Sequence, residues 1–287
     1  MRSAARTAVV LALLGVAACG TDAAEQEGEE LAVFASFYPL QYVAEEIGGD
    51  AVAVTNLTPP GSDPHHLELA PATVQQLDGA PMVVYLSGFQ PAVDEAIAAT
   101  NPERVVDATA AADVHGADPH FWLDPLRLAD VADHVAAALA QADGSQGADY
   151  EQGARELRQR LEALDADFRS ELAQCRGAVL VSTHESYGYL AMRYDLQQVG
   201  IAGIDTEAEP SPARLREVGQ IIEAEGVRTL FYDDPAAARV VESLAEEFGV
   251  TAAHLDPLEK QLDPTRDYAE VMTDNLAVLS AGLNCDG

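Results

Sequence analysis

The stretch Tyr150–Gln174, YEQGARELRQRLEALDADFRSELAQ, decides how the chain is organised. Leu157, Leu161, Leu164, Phe168 and Leu172 recur in it at steps of four, three, four and four, which lays one apolar stripe along a helix. The opposite face carries Glu156, Arg158, Arg160, Glu162 and Asp165, and the segment from Gly144 to Gly147 precedes the helix as a breaker. At about 1.5 Å per residue, a helix of roughly 25 residues spans nearly 40 Å, enough to run along two lobes and restrain their relative motion. An ordinary surface helix within one domain has the same pattern, so the flanking segments must decide.

On both sides the chain alternates short β-rich runs with helical segments. The first half offers Leu31 to Ser36, Ala51 to Leu57, Met82 to Leu86 and Arg104 to Ala108; the second offers Ala178 to Thr183, Leu196 to Gly200, Thr229 to Asp233 and Thr251 to Asp256. Runs that are apolar on both faces and alternate with helices indicate parallel sheets covered by helices. The expected fold is therefore α/β, with two lobes, each a parallel sheet covered by helices, joined by the long helix. About 257 residues beyond residue 30 suffice for two such lobes. The expected boundaries are a first lobe over 31–145, a connecting helix over 146–174 and a second lobe over 175–287.

The N-terminus sets the compartment. Met1-Arg2, Arg6 and a largely apolar run from Ala8 to Ala18 read as a secretory signal over residues 1–18, too short for the roughly 20 apolar residues of a membrane-spanning helix. Val16-Ala17-Ala18-Cys19 resembles a bacterial lipobox, which makes Cys19 the expected site of lipidation and first mature residue. Residues 19–30 are small and acidic and read as a tether from membrane to domain. The expected location is extracytoplasmic, at the outer face of a bacterial cell membrane through a lipid anchor, or periplasmic.

The formal net charge of −32 becomes about −34 once Arg2 and Arg6 are removed. With Lys260 as the only lysine, the chain lacks the clustered cations that phosphate binding needs, which excludes nucleic acid as a partner. Of the three cysteines, Cys175 and Cys285 remain beside Cys19, and an even pair in an exported protein is expected to form a disulfide. Metal ligation is the competing role, but neither cysteine has a second ligand at metal-site spacing.

Seven histidines remain to be placed. His65 and His66 end the turn-rich loop Thr58-Pro59-Pro60-Gly61-Ser62-Asp63-Pro64-His65-His66, and His120 lies in Asp118-Pro119-His120-Phe121-Trp122-Leu123-Asp124-Pro125. Proline before His65 and before His120 restrains the backbone, which suits a residue that must hold an imidazole in one orientation. His184 directly follows the run Ala178 to Thr183, and Asp256 ends the last strand in Leu255-Asp256-Pro257-Leu258. In an open α/β sheet, strand-end loops of this kind line the ligand crevice. Three neutral imidazoles and one carboxylate suit a borderline divalent cation such as Zn²⁺. His134 falls within a helix and His254 within a strand, so both read as packing or surface residues, while His66 and His115 each adjoin a candidate ligand.

Taken in order, Ser36-Phe37-Tyr38-Pro39-Leu40, Pro60 to His65, Asp118 to Pro125, Thr183-His184-Glu185-Ser186-Tyr187-Gly188-Tyr189 and Leu255-Asp256-Pro257-Leu258 resemble the metal-binding solute receptors of bacterial ABC importers for zinc and manganese, the cluster A-I family. The resemblance covers about residues 31–283 and implies one metal bound in the cleft between two lobes held by a rigid helix. It places His65, His120, His184 and Asp256 on the family's ligand positions. Histidine at the third of these favours zinc, with manganese as the alternative. The resemblance further implies a permease and its ATPase as partners, a monomeric receptor and no enzymatic activity.

Two other functions compete. A secreted zinc hydrolase needs an open coordination position and a general base, and His184-Glu185 fails to complete H-E-x-x-H because position 188 is glycine. A surface adhesin remains the second alternative, although it gives no reason for histidines in strand-end loops.

Overall fold

The computed structural model describes residues 30–204 and 209–285, so the signal segment, Cys19 and nearly all of the tether lie outside the described residues. Two four-stranded parallel sheets form. The first contains β1 (Leu31–Ala35), β2 (Val52–Asn56), β3 (Met82–Tyr85) and β4 (Val105–Asp107) in the order β2-β1-β3-β4. The second contains β5 (Val179–Ser182), β6 (Gln197–Gly200), β7 (Thr229–Tyr232) and β8 (Thr251–His254) in the matching order β6-β5-β7-β8. Each of the eight β-rich runs became a strand, shortened by one or two residues at one or both ends.

Helices α1 (Tyr38–Gly48), α2 (Pro71–Leu77), α3 (Pro91–Ala99) and α4 (Pro125–Ala142) cover the first sheet. Helices α6 (Gly188–Arg193), α7 (Pro212–Glu225), α8 (Ala238–Phe248) and α9 (Tyr268–Gly282) serve the second. Residues alternate between the two faces of each strand, as a pleated strand requires. On β1 and β3, Val33, Ala35, Met82 and Val84 enter the large central core, while Phe34 and Val83 face a smaller cluster with Leu57, Leu67 and Leu77. On the second sheet Leu180 and Phe231 face the central core, and Val179, Val181 and Leu230 face a separate cluster with Val218, Ile222 and Val241.

The long helix is α5 (Gly147–Glu171), and it packs against α1 and α4 of the first half and α9 of the second. Its stripe of Leu157, Leu161, Leu164 and Phe168 is buried, each side chain contributing about 1.5–3 kcal/mol when fully removed from water. Gly153 lets α5 approach α1 closely, because a Cβ there would lie 2.7 Å from the carbonyl oxygen of Ile47. Buried Asp165 on the same helix accepts from Arg193 Nε at 2.6 Å and Nη2 at 2.9 Å, and Arg193 also reaches Asp124 at 3.1 Å. One guanidinium thus ties the spine, the start of α4 and the end of α6 together. Cys175 and Cys285 are bonded, joining the approach to β5 to the segment after α9.

Candidate metal centre

The loops at the carboxyl ends of the strands converge between the sheets. His65 follows β2 on a tight turn, Pro64–His66, in which Asp63 Oδ1 accepts the His65 backbone N–H at 2.8 Å. His120 follows β4 and uses the same device, with Asp118 Oδ1 accepting its N–H at 3.0 Å. That carboxylate also accepts from His120 Nδ1 at 2.7 Å, which turns Nε2 toward the cleft. Asp118 can sit there only because residue 188 is glycine: a Cβ on Gly188 would lie 2.4 Å from Asp118 Oδ2.

His184 comes two residues after β5. Its Nε2 donates to the carbonyl oxygen of Ile204 at 2.9 Å, leaving Nδ1 to face the cleft, buried and without a hydrogen-bond partner. The fourth group is Glu259, beyond β8. Asp256 Oδ1 accepts the Leu258 N–H at 2.8 Å, and Leu258 takes a left-handed φ of 57° that redirects the chain; such a conformation costs a non-glycine residue about 1–2 kcal/mol. The turn is held from several sides. Asn275 brackets the main chain of Asp256, with bonds of 3.0 and 2.7 Å, and Tyr187 donates to Leu255 O at 2.5 Å. Trp122 Nε1 reaches across from the first half and donates to Pro257 O at 2.7 Å, while Tyr268 donates to Trp122 O at 2.5 Å.

His65, His120, His184 and Glu259 each offer one donor atom, and the four atoms lie within 4.8 Å of one another. Glu259 Oε1 is 3.3 Å from His65 Nε2, 3.0 Å from His120 Nε2 and 3.7 Å from His184 Nδ1. Four ligands at zinc–nitrogen and zinc–oxygen bond lengths in a tetrahedron stand about 3.3 Å apart, and the three separations of Glu259 Oε1 from the imidazoles bracket that edge. His120 is fully buried, Glu259 is 6 % exposed and His184 is 3 % exposed.

Without a cation the cluster is held by protons. Burial opposes charge on His120, but its hydrogen bonds to Asp118 and Glu259 prevail and raise its pKa to about 9. Burial works against ionised Glu259 too, yet the His120 and His65 hydrogen bonds hold its carboxyl far below the usual carboxylate range.

The three histidines named from the sequence are therefore brought together, whereas Asp256 is not the carboxylate that joins them. Its Oδ1 caps the turn, and burial raises its pKa. Glu259, three residues on, occupies the place beside the imidazoles. His66 and His134 are exposed, and exposed His115 pairs with Asp113 at 3.1 Å. His254 donates from Nε2 to Asp233 O at 3.1 Å. Glu185 turns toward Arg214, away from the imidazoles.

A family model described as "ZnuA: Zinc-uptake complex component A periplasmic" matches residues 33–282. The chain is 26 % identical to the High-affinity zinc uptake system protein ZnuA of Bacillus subtilis (strain 168), covering 96 % of each chain. It is also 26 % identical to the Zinc-binding lipoprotein AdcA of Streptococcus pneumoniae, covering 96 % of this chain and 60 % of that longer protein. The crystal structure of Zn(II)-bound AdcA from Streptococcus pneumoniae superposes with a TM-score of 0.78 at 26 % identity, over 88 % of this chain and 58 % of that one.

Proposed function

We propose, for a chain that belongs to the ZnuA family of periplasmic zinc-uptake components, that His65, His120, His184 and Glu259 are the residues that capture the transported ion. The family's members are receptors in zinc uptake, and Zn²⁺ is the cargo. The observation that carries the assignment is the mutual spacing of the four donor atoms. Three imidazoles and one carboxylate suit Zn²⁺, and a shell closed by four protein ligands leaves no position for the activated water of a hydrolase. The protein accordingly binds and releases without turnover.

The uptake-system family implies a membrane permease and its ATPase as partners, with the receptor itself outside the cytoplasm. Within that setting, residues 1–18 are the export signal, Cys19 carries the lipid and 19–30 form the tether; the lipobox-like sequence supports this, as does the name of the streptococcal lipoprotein relative. Residues 31–145 and 175–287 act as two lobes on the 146–174 spine, and the receptor works as a monomer. Because α5 packs on both halves, release proceeds through small loop movements rather than wide hinge opening.

Metal content after native purification, followed by Zn²⁺ titration of the stripped chain, tests the reading. One tightly held zinc per chain is expected, weakened severely by Glu259→Gln and much less by Asp256→Asn. A protein that takes up no transition metal would remove the function, and the reverse order of the two variants would return the fourth ligand to Asp256.

A further inference from the structure

β5 and β7 are neighbours at the point where strand order reverses in the second sheet, the crevice where open α/β sheets bind ligands. His184 emerges from the end of β5, and Asp233 directly follows β7. A carbonyl oxygen can only accept, so the bond from Nε2 to Ile204 O gives neutral His184 its hydrogen on Nε2 and leaves a lone pair on Nδ1. That buried atom has no hydrogen-bond partner. Asp233 Oδ2 lies 3.3 Å from it and Glu259 Oε1 lies 3.7 Å from it. The other oxygen of Asp233 is committed, accepting from Thr183 Oγ1 at 2.8 Å and from the Asp234 N–H at 3.0 Å. In this tautomer a nitrogen lone pair faces two carboxylate oxygens, one of which, Glu259 Oε1, also meets the Nε2 atoms of His65 and His120, an arrangement that a divalent cation satisfies.

These three residues also line a cavity of about 580 Å³. A cation with six waters, at about 30 Å³ per water, occupies roughly 180 Å³, so the cavity admits the hydrated ion. The four-donor centre, whose oxygen-to-nitrogen distances run from 3.0 to 3.7 Å, admits only a bare one. Between the two the ion must exchange water for protein ligands.

We propose that Asp233 is a loading ligand. The hydrated divalent cation first takes Asp233 Oδ2, His184 Nδ1 and Glu259 Oε1 in exchange for waters on its protein side. It then moves onto His65 Nε2 and His120 Nε2, releasing Asp233 and the remaining waters, while the proton that His120 Nε2 shares with Glu259 Oε1 leaves to solvent. His184 and Glu259 stay bound throughout, so the ion never crosses an unliganded gap. Delivery retraces the path.

This inference rests on the zinc-capture reading, and the experiment separates the two. Association and dissociation of Zn²⁺ are followed with the metal-stripped chain by competition against a chromophoric chelator. A wild-type chain that binds no zinc tightly overturns the function itself. With the wild type binding, Asp233→Asn is expected to slow association and dissociation together by about tenfold, a barrier change of about 1.4 kcal/mol. The slowing should persist in about 1 M salt, where screening acts within about 3 Å. Asp234→Asn removes a charge from the same cavity wall, from a carboxylate that caps the Ala236 N–H, and should leave both rates unchanged. If Asp233→Asn fails to fold, Asp233→Glu keeps the charge and displaces the oxygen; slowed loading again supports the proposal, and wild-type rates overturn it. Equal effects of the Asp233 and Asp234 variants, loss of the effect in salt, or faster dissociation with unchanged association would each overturn it as well.

Discussion

In the first half, the imidazole of His120 is fully buried and is gripped by a side chain, Asp118, which bonds both its ring and its main chain. In the second, His184 is nearly as buried, but its ring is steadied by a main-chain carbonyl, that of Ile204. The strands behind the two histidines share one topology. Each sheet rests one face on the central core and the other on a smaller cluster of its own, so the difference lies in the grip on the ring. The lesson is that equivalent strand-end positions can hold equivalent ligands by different means. A side-chain grip tunes the basicity of the ring, whereas a main-chain grip fixes which nitrogen points inward and leaves the open side free to face Asp233 and the cavity.

The comparison can be broken by removing each half's pair of ligands. His65→Ala with His120→Ala, and His184→Ala with Glu259→Ala, should each abolish tight Zn²⁺ binding, by about 10⁴-fold or more, equivalent to over about 5 kcal/mol. Isothermal titration reads this, and tight binding retained by either pair would show that one half suffices. Next comes the disulfide, which closes a separation of 110 residues. Chain entropy assigns about 4–5 kcal/mol to a loop of that size, so Cys175→Ser with Cys285→Ser should lower the urea-unfolding free energy by an amount of that order. An unchanged midpoint would mean that packing alone restrains the end after α9.

Protonation sharpens the contrast at His120. Its pKa in the empty site is about 9 against an ordinary 6.5, so the charged ring stabilises the empty fold fully below pH 6.5, and that stabilisation is lost as pH rises through 9. Zinc must displace this proton. Affinity should therefore rise about tenfold per pH unit between roughly 6.5 and 9, a total near 3 kcal/mol, and flat affinity over that window would contradict the Asp118 and Glu259 grip. The smallest effect is expected from Asp118→Asn, which keeps the shape beside Gly188 but weakens the acceptor. Zinc affinity should fall about ten- to hundredfold, and at about pH 10, where His120 is neutral and its charge-dependent stabilisation is absent, thermal stability should change little. An effect on stability equal to that on affinity would make Asp118 a structural residue only.

The fold was legible because period and length agree: the stripe in α5 and the eight apolar runs needed no knowledge of tertiary contacts. Helix α5 is found at Gly147–Glu171, with a tighter turn completing it to Gln174. The three histidines were marked by their loops, two of them by a preceding proline. The carboxylate beside them was harder to read, because the expected strand ran to Asp256 whereas β8 ends at His254. A signal did exist in the chain's own usage. In each of its six Asp-Pro pairs, at Asp63, Asp118, Asp124, Asp234, Asp256 and Asp263, the aspartate accepts the N–H two residues on. In the two His loops, the group facing the cleft comes after the proline, not from the aspartate. The same rule at Asp256-Pro257 points beyond the proline, and only the left-handed turn at Leu258 makes Glu259 the residue that arrives. Asp233 carried no sequence mark, since its proximity to His184 depends on β5 and β7 being paired.

Trp122 is the only tryptophan in the chain, and its indole bridges the two halves through Pro257 O while its ring centroid lies 5.2 Å from that of His120. The protein consequently contains a single indole, placed at the seam that loading and release must disturb and excitable apart from the tyrosines. Its emission reports on that seam without a label, and each zinc that arrives or departs writes its own optical trace.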